Sequence, residues 1–238
     1  MMRKAGEILA ATHEELRKAI KPGMSTLDID RLGEKIIRSY GCIPSFKNYN
    51  GYPASICVSI NDEVVHGIPN RRRILKEGDI VSLDAGVIYN GYHSDAARTW
   101  AVGEISPEAQ KLIDVTKQSF FEGIKFAKAG NHLNDISAAI QSYAESFGYG
   151  VVRDLVGHGI GTHLHEDPEV PNFGRAGRGV RLLPGMTIAI EPMVNAVGEG
   201  VRVLDDDWTV VTKSGSLSAH FEHTIAITEH GPVILTTP

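Results

Sequence analysis

Six residues of this chain recur at one fixed spacing, and that recurrence restricts the fold more than any other feature. Lys21, Gly23, Asp28, Ile29, Ser39 and Gly41 return as Lys128, Gly130, Asp135, Ile136, Ser146 and Gly148, each 107 positions later. Without a gap, the same offset carries Gly78 onto Gly185 and Asp84 onto Glu191. Each half then reads as helix, glycine-containing turn, helix, and a strand that begins after Gly and ends in a carboxylate. Duplicated halves packed face to face set Asp84 and Glu191 across a pseudo-twofold axis, a natural seat for a symmetric pair of metal ions.

The acids stand where acids are costly. Asp84 closes the apolar run IVSLD, Glu191 closes TIAIE and Glu222 opens FEHTIAI. Strands this apolar are buried, and an ionised carboxylate among them costs several kcal/mol unless its charge is compensated. Together with Asp95, and with His158 inside GHGIG, they point to one shared compensator. Two divalent cations carry +4 and the four carboxylates carry −4.

Hairpin geometry supports the grouping. Residues 80–88 and 92–100 read as strands joined by Asn90-Gly91, the signature of a two-residue type I′ turn. That register sets Asp84 opposite Ala97 and makes Asp95 its diagonal neighbour on the same face. Diagonal neighbours lie roughly 7–8 Å apart, so both side chains can converge on one metal pair. Taken alone, the two acids also suit a solvated hairpin.

At 238 residues with 42% hydrophobic side chains, the chain can bury an ample core. No Pro/Gly/Ser-rich linker divides it, so the expectation is one catalytic domain over residues 1–238, with halves of about 1–105 and 106–238. A net charge of −5 offers no electrostatic footprint for nucleic acid, and Arg71-Arg72-Arg73 reads as a solvated turn. No apolar stretch reaches the ~20 residues of a membrane span, and the start lacks a signal-peptide core. Cys42 and Cys57 are too few for a disulfide scaffold, which suggests the cytoplasm.

Helical spacing covers residues 1–20. A second helix, with Thr26 as its N-cap, runs to Tyr40-Gly41. Strands follow at 54–60 and 63–68. A third helix starts at Ser106-Pro107 and ends near Gly130, and a fourth covers about 134–147. The remainder is β-rich. Helices grouped beside antiparallel hairpins give an α+β fold rather than a parallel βαβ sheet. Neither GHGIG nor GRAGRG matches a P-loop or a dinucleotide fingerprint.

Asp84 and Asp95, VGHGIGTHLHEDPEV at 156–170, IEPM at 190–193 and FEHT at 221–224 together resemble type I methionine aminopeptidase, over essentially the whole chain. The resemblance implies the duplicated "pita-bread" fold, with two pseudo-symmetric halves around an antiparallel β core. It implies that Asp84 and His158 ligate one metal each, Asp95 and Glu222 bridge both, and Glu191 completes the second site. Oxygen-rich ligation with one imidazole suits Mn, Fe or Co, with Zn accommodated. A water shared by two metals becomes hydroxide near neutral pH and attacks the scissile carbonyl. Glu191 would handle its proton, His165 would stabilise the oxyanion, and His66 would bond the scissile amide or the tetrahedral intermediate. Tyr49, Tyr52, Cys57, Leu164 and Trp208 match positions around the methionine side chain, which an apolar core would otherwise explain. The substrates implied are N-terminal methionine peptides and nascent chains with a small penultimate residue. A monomer is expected, with transient ribosome contact.

Without the constellation, His66 is a turn histidine and His165 part of a surface cluster with Glu166 and Asp167. His163 is expected to be structural or exposed. His220 and His223 flank Glu222 and are expected to face away from it. Leu164 stands where the family usually has Phe, which alters pocket shape. MRKAG stands at the start, so the short leader and Cys/His-rich zinc extension of some relatives are expected to be missing. Two alternatives remain. One is an Xaa-Pro aminopeptidase or prolidase, whose additional N-terminal domain has no room here. The other is a non-catalytic pita-bread binding protein, which would be expected to have lost ligands.

Overall fold

A computed structural model describes residues 1–237. Helices α1 (Met2–Ala19) and α2 (Thr26–Ser39) precede strands β1 (Ile43–Pro44), β2 (Ile56–Ile60), β3 (Glu63–Val65), β4 (Ile80–Tyr89) and β5 (Tyr92–Ala101). Helices α3 (Pro107–Ile124) and α4 (Leu133–Glu145) follow, then β6 (Gly150–Val151), β7 (Gly157–Gly159), β8 (Glu166–Val170), β9 (Thr187–Ile190) and β10 (Met193–Asn195). The chain ends in β11 (Val201–Val203), β12 (Val210–Thr212), β13 (Ser218–His220), β14 (His223–Thr228) and β15 (Gly231–Ile234).

The repeat is visible bond by bond. Gly23 N–H donates to Leu75 O at 2.8 Å, and 107 residues on Gly130 N–H donates to Leu182 O at 2.9 Å. Thr26 N–H meets Arg73 O at 2.9 Å, and Leu133 N–H meets Val180 O at 2.9 Å. The isolated bridge between Ser25 and Ile74 recurs between His132 and Arg181. Gly78 and Gly185, which turn the chain into β4 and β9, have φ of +89° and +93°, a region that costs glycine nothing and other residues strain.

In each half a central strand is flanked antiparallel on both sides. β4 lies between β2 and β5, and β9 lies between β7 and β14. The Asn90-Gly91 hairpin has the expected register, with Asp84 opposite Ala97 and Gly86 opposite Asp95. The halves meet where β5 faces β14. Thr224 Oγ1 accepts from Asp95 N–H at 2.9 Å and donates to Asp95 O at 2.8 Å, and Glu222 N–H donates to Ala97 O at 2.9 Å. Two of the four acids therefore sit on the seam itself.

Each half buries its own apolar cluster under its own helix pair. Leu9, Leu16, Ile29 and Ile37 pack on Ile56, Val81 and Leu83. Phe120, Ile136 and Ile140 pack on Ile188, Ile190 and Ile225. Burying one such side chain is worth about 1.5–3 kcal/mol, which holds the helices outside and leaves the inner strand faces free to carry polar groups.

Three local expectations need correction. Ser25, not Thr26, caps α2: its Oγ accepts from Asp28 N–H at 3.1 Å and Asp28 Oδ2 accepts from Ser25 N–H at 3.2 Å, a reciprocal capping box. α3 stops at Ile124, well before Gly130, because Gly130 is committed to the turn that bonds Leu182. Arg73 does not share the solvated turn of Arg71 and Arg72, since its guanidinium pairs with Glu63 and reaches Ile68 O at 3.3 Å.

Candidate active site

One cavity of about 320 Å³ takes in Asp84, Asp95, His158, Glu191 and Glu222 on one side and Tyr49, Tyr52, Cys57, His66, Leu164, His165 and Trp208 on the others. All twelve site residues expected from the sequence thus line a single space. Phe46, Asn50, Val65, Leu155, Val156 and Met193 complete its walls. These six were missed because an apolar side chain carries no signal that separates a wall from a core, and Asn50 reads as an ordinary turn residue.

The polar side is built by the seam. One donor atom from each of Asp95, His158 and Glu222 lies within 4.8 Å of the others. His158 Nε2 is 3.8 Å from Asp95 Oδ2 and 3.8 Å from Glu191 Oε1. Its Nδ1 lies 2.8 Å from Gly159 O, so Nδ1 carries the hydrogen and Nε2 presents a lone pair to the acids. Burial holds the ring neutral, with its pKa down at about 4. A neutral imidazole fixed by a backbone carbonyl is the form that ligates a metal.

Without cations this cluster is electrostatically unfavourable. Burial pushes Asp84 up to about 7 and Glu191 up to about 8. Asp95 and Glu222 are pushed well above the carboxylate range by burial first and by neighbouring acids second. Asp84 Oδ1, Asp95 Oδ1 and Glu222 Oε1 are buried with no hydrogen-bond partner, each an uncompensated desolvation cost of about 1–3 kcal/mol or more. Orphaned oxygens converging beside one imidazole lone pair fit hard or borderline divalent ions.

The remaining polar residues lie around the cavity rather than in the cluster. His66 has φ +60°, a left-handed conformation uncommon for a residue with a Cβ and a recurring feature of functional sites. Gly67 follows because a Cβ there would lie 2.3 Å from Val58 O. Burial lowers the His66 pKa to about 4, and its ring stands edge-on to Trp208 at 6.2 Å. His165 is exposed at the mouth, 4.2 Å from the His158 ring centroid, with Nδ1 2.7 Å from the Tyr49 hydroxyl. Tyr52 and Trp208 meet edge to face at 5.1 Å. Leu164 packs with them in one apolar cluster with Phe46 and Cys57. His163 is exposed, as expected.

Two residues at the site differ from, or escaped, the sequence expectation. His223 does face away, into Phe120, Phe221 and Thr236, but His220 does not: its Nε2 is 3.4 Å from Glu191 Oε2. Residues two apart along a strand share a face, and the ladder breaks at 221–222 between β13 and β14. Arg98 was missed altogether. Its guanidinium donates to the carbonyls of Ala97 and Glu222 and lies 4.5 Å from the Phe221 ring. The cue was a charged residue in the middle of the apolar run AARTWA.

Comparison with known proteins follows the same lines. Metallopeptidase family M24 matches residues 1–229. The methionine aminopeptidase of Clostridium acetobutylicum is 62% identical over 235 residues, spanning 99% of this chain and 94% of that protein. The crystal structure of methionine aminopeptidase from Thermotoga maritima aligns with a TM-score of 0.97 at 48% identity, over 99% of this chain and 95% of the other. The Xaa-Pro dipeptidase from Bacillus anthracis aligns with a TM-score of 0.80 at 27% identity, and this chain spans 60% of it. With its duplicated pita-bread fold and end-to-end similarity, the chain belongs to metallopeptidase family M24, among the methionine aminopeptidases.

Proposed function

We propose that this chain hydrolyses the peptide bond after an N-terminal methionine in peptides and nascent chains, with preference for a small penultimate residue. The observation that carries the reading is one cavity holding both a carboxylate–imidazole cluster and an apolar end walled by Phe46, Tyr52, Cys57, Leu164 and Trp208. Asp84, Asp95, His158, Glu191 and Glu222 would hold the divalent ions that the family requires. Bound there, the ions supply Lewis acidity toward the scissile carbonyl and bring the pKa of a water toward neutrality.

The rest is done by the chain. Tyr52, Cys57, Leu164 and Trp208 enclose the methionine side chain, whose thioether gains about 0.3–1.5 kcal/mol from each aromatic contact. Glu191 accepts the proton of the attacking water and passes it to the leaving amine. With the Tyr49 hydroxyl donating to Nδ1, His165 carries its hydrogen on Nε2 and offers it to the developing oxyanion. His66 donates to the scissile amide or to the tetrahedral intermediate. Burial lowers the His66 pKa to about 4, and the partial covering of the His165 ring at the mouth lowers its pKa too, so each acts as a neutral donor.

The charge balance of four carboxylates favours two ions. Oxygen ligands with one imidazole suit Mn, Fe or Co, and accommodate Zn. We further propose that the chain works as one catalytic domain, as a monomer in the cytoplasm that meets nascent chains at the ribosome. Among the described residues no helix is long and apolar enough to cross a membrane.

Hydrolysis of Met-Gly-Met-Met and of Xaa-Pro peptides, with Mn or Co added or chelated, tests the reading. Metal-dependent release of methionine from the first substrate alone is expected. Preference for Xaa-Pro bonds would move the chain to the prolidase-like reading, and no hydrolysis of either would favour a binding protein.

A further inference from the structure

Of the five candidate ligands only His158 has its ring held, and the acids are fixed through their backbone, Asp84 by the strand pairing that sets it against Cys57 and Ala97. His158 is oriented by Gly159 O. The Asp95 backbone is clamped on both sides by Thr224 Oγ1. Glu222 is held through its N–H to Ala97 and its carbonyl to Arg98. Glu191 is fixed only at its carbonyl, where Asn172 Nδ2 donates at 3.0 Å. Its carboxylate, on a long and rotatable side chain, would otherwise be free to swing.

His220 stands behind that carboxylate. It is 1% exposed, and neither ring nitrogen has a hydrogen-bond partner. Its backbone is rigid: β13 pairs it with Met193 of β10, and Thr99 Oγ1 accepts its N–H at 2.9 Å. A buried imidazole must place one N–H somewhere, and an unmet donor costs about 1–3 kcal/mol. Glu191 Oε2, at 3.4 Å from Nε2, is the acceptor within reach. The other oxygen, Oε1, is the one that faces His158.

We propose that His220 is a positioning residue: its Nε2–H holds Glu191 Oε2 and so aims Oε1 into the donor cluster. This rests on reading the cluster as a metal centre. Groups that orient a ligand in this way are typically worth 10–100-fold in metal affinity. The role is one of aim, so it should show in ion binding as well as in turnover.

The test uses the metal-free full chain in four forms: wild type, His220→Ala, His220→Leu and His220→Gln. Mn(II) and Co(II) are titrated by calorimetry, the visible absorption of Co(II) is recorded, and each metal-free form is melted to check folding. Ala and Leu should weaken ion binding by about 10–100-fold and shift the Co(II) absorption. Gln carries an amide N–H near the place of Nε2 and should restore most of the affinity and the wild-type absorption. Leu keeps the buried volume, so it carries the test if Ala fails to fold. Unchanged affinity in Ala or Leu overturns the proposal. Affinity in Gln as poor as in Leu also overturns it, because an amide N–H then does not replace the ring. Failure of the wild type to bind either ion would sink the metal-centre reading itself, a separate result.

Discussion

His158 Nδ1 lies 2.8 Å from the carbonyl oxygen of Gly159, and that one bond decides which face of the ring the acids see. With Nδ1 committed, Nε2 is left between Asp95 and Glu191 at 3.8 Å from each. A lone pair and carboxylate oxygens at that spacing repel one another unless something positive lies between them. The site is therefore built for cations, and its metal-free form should show the strain.

That strain has a pH signature. Asp84 and Glu191 have folded pKa values raised to about 7 and about 8, from 3.8 and 4.5. Groups raised in this way favour the folded state at low pH, and that contribution is lost as pH rises through the folded values. Buried His13, His66, His158 and His220, lowered to between about 3 and about 4 from 6.5, act oppositely, as do the lowered His93, His165 and His223, and they fall silent only about one unit above 6.5. From pH 7.5 to 9 the carboxyls set the slope, at up to about 1.4 kcal/mol per pH unit for each. Metal-free protein should lose about 1 kcal/mol across that window, or roughly 2–4 °C in Tm. Saturating Mn(II) should flatten the fall. A metal-free Tm that rises or stays level from about pH 7.5 to 9 would contradict it.

Asp84→Asn and Glu191→Gln should each abolish hydrolysis with the fold intact. Each removes one charge from a cluster that cations must balance, so the metal-free variants should melt at or above the wild type. Metal content by mass spectrometry and melting curves check both halves of the statement. Near wild-type turnover with stoichiometric metal in either variant would refute the assignment of these two as ligands.

Legibility in the sequence followed the range of the interactions. The hairpin register was readable because Asn90-Gly91 fixes it locally, and the repeat was readable because glycines at φ near +90° cannot drift. Asp84 and Glu191 were visible as acids ending apolar strands. His220 was misplaced although it stands two residues before Glu222, a spacing that by strand periodicity alone sets both on one face; only His223, the immediate neighbour of Glu222, points away. Arg73 pairs with Glu63 across a turn that looked solvated. The early end of α3 depends on the bond from Gly130 to Leu182, which no local propensity carries.

His66→Ala should lower kcat by about 10²–10³-fold while leaving metal content unchanged, since its contact forms mainly in the transition state. The residue sits at φ +60°, so part of any stability loss in Ala reflects backbone strain. Asn tolerates that conformation better, and His66→Asn separates the two effects. Steady-state kinetics with metal analysis is the check. Metal content falling in step with activity would make His66 a ligand or a structural residue.

Leu164 concerns selectivity. It is 2% exposed and packs with Phe46, Tyr52 and Cys57 at the apolar end of the cavity, beside Trp208. A phenyl ring there would add a thioether–aromatic contact of about 0.3–1.5 kcal/mol and take up space that leucine leaves open. Overpacking a buried position typically costs about 1–3 kcal/mol in stability, so Leu164→Phe should melt lower. Its KM for Met-initiated peptides should nevertheless fall with kcat little changed. Tyr49, Tyr52 and Trp208 remain in place, so methionine stays preferred in both forms. The wild type should tolerate norleucine and leucine better than Leu164→Phe does. The measurement is kcat/KM on peptides that begin with methionine, norleucine and leucine. An identical ratio across the three in both proteins would mean that position 164 does not touch the substrate side chain.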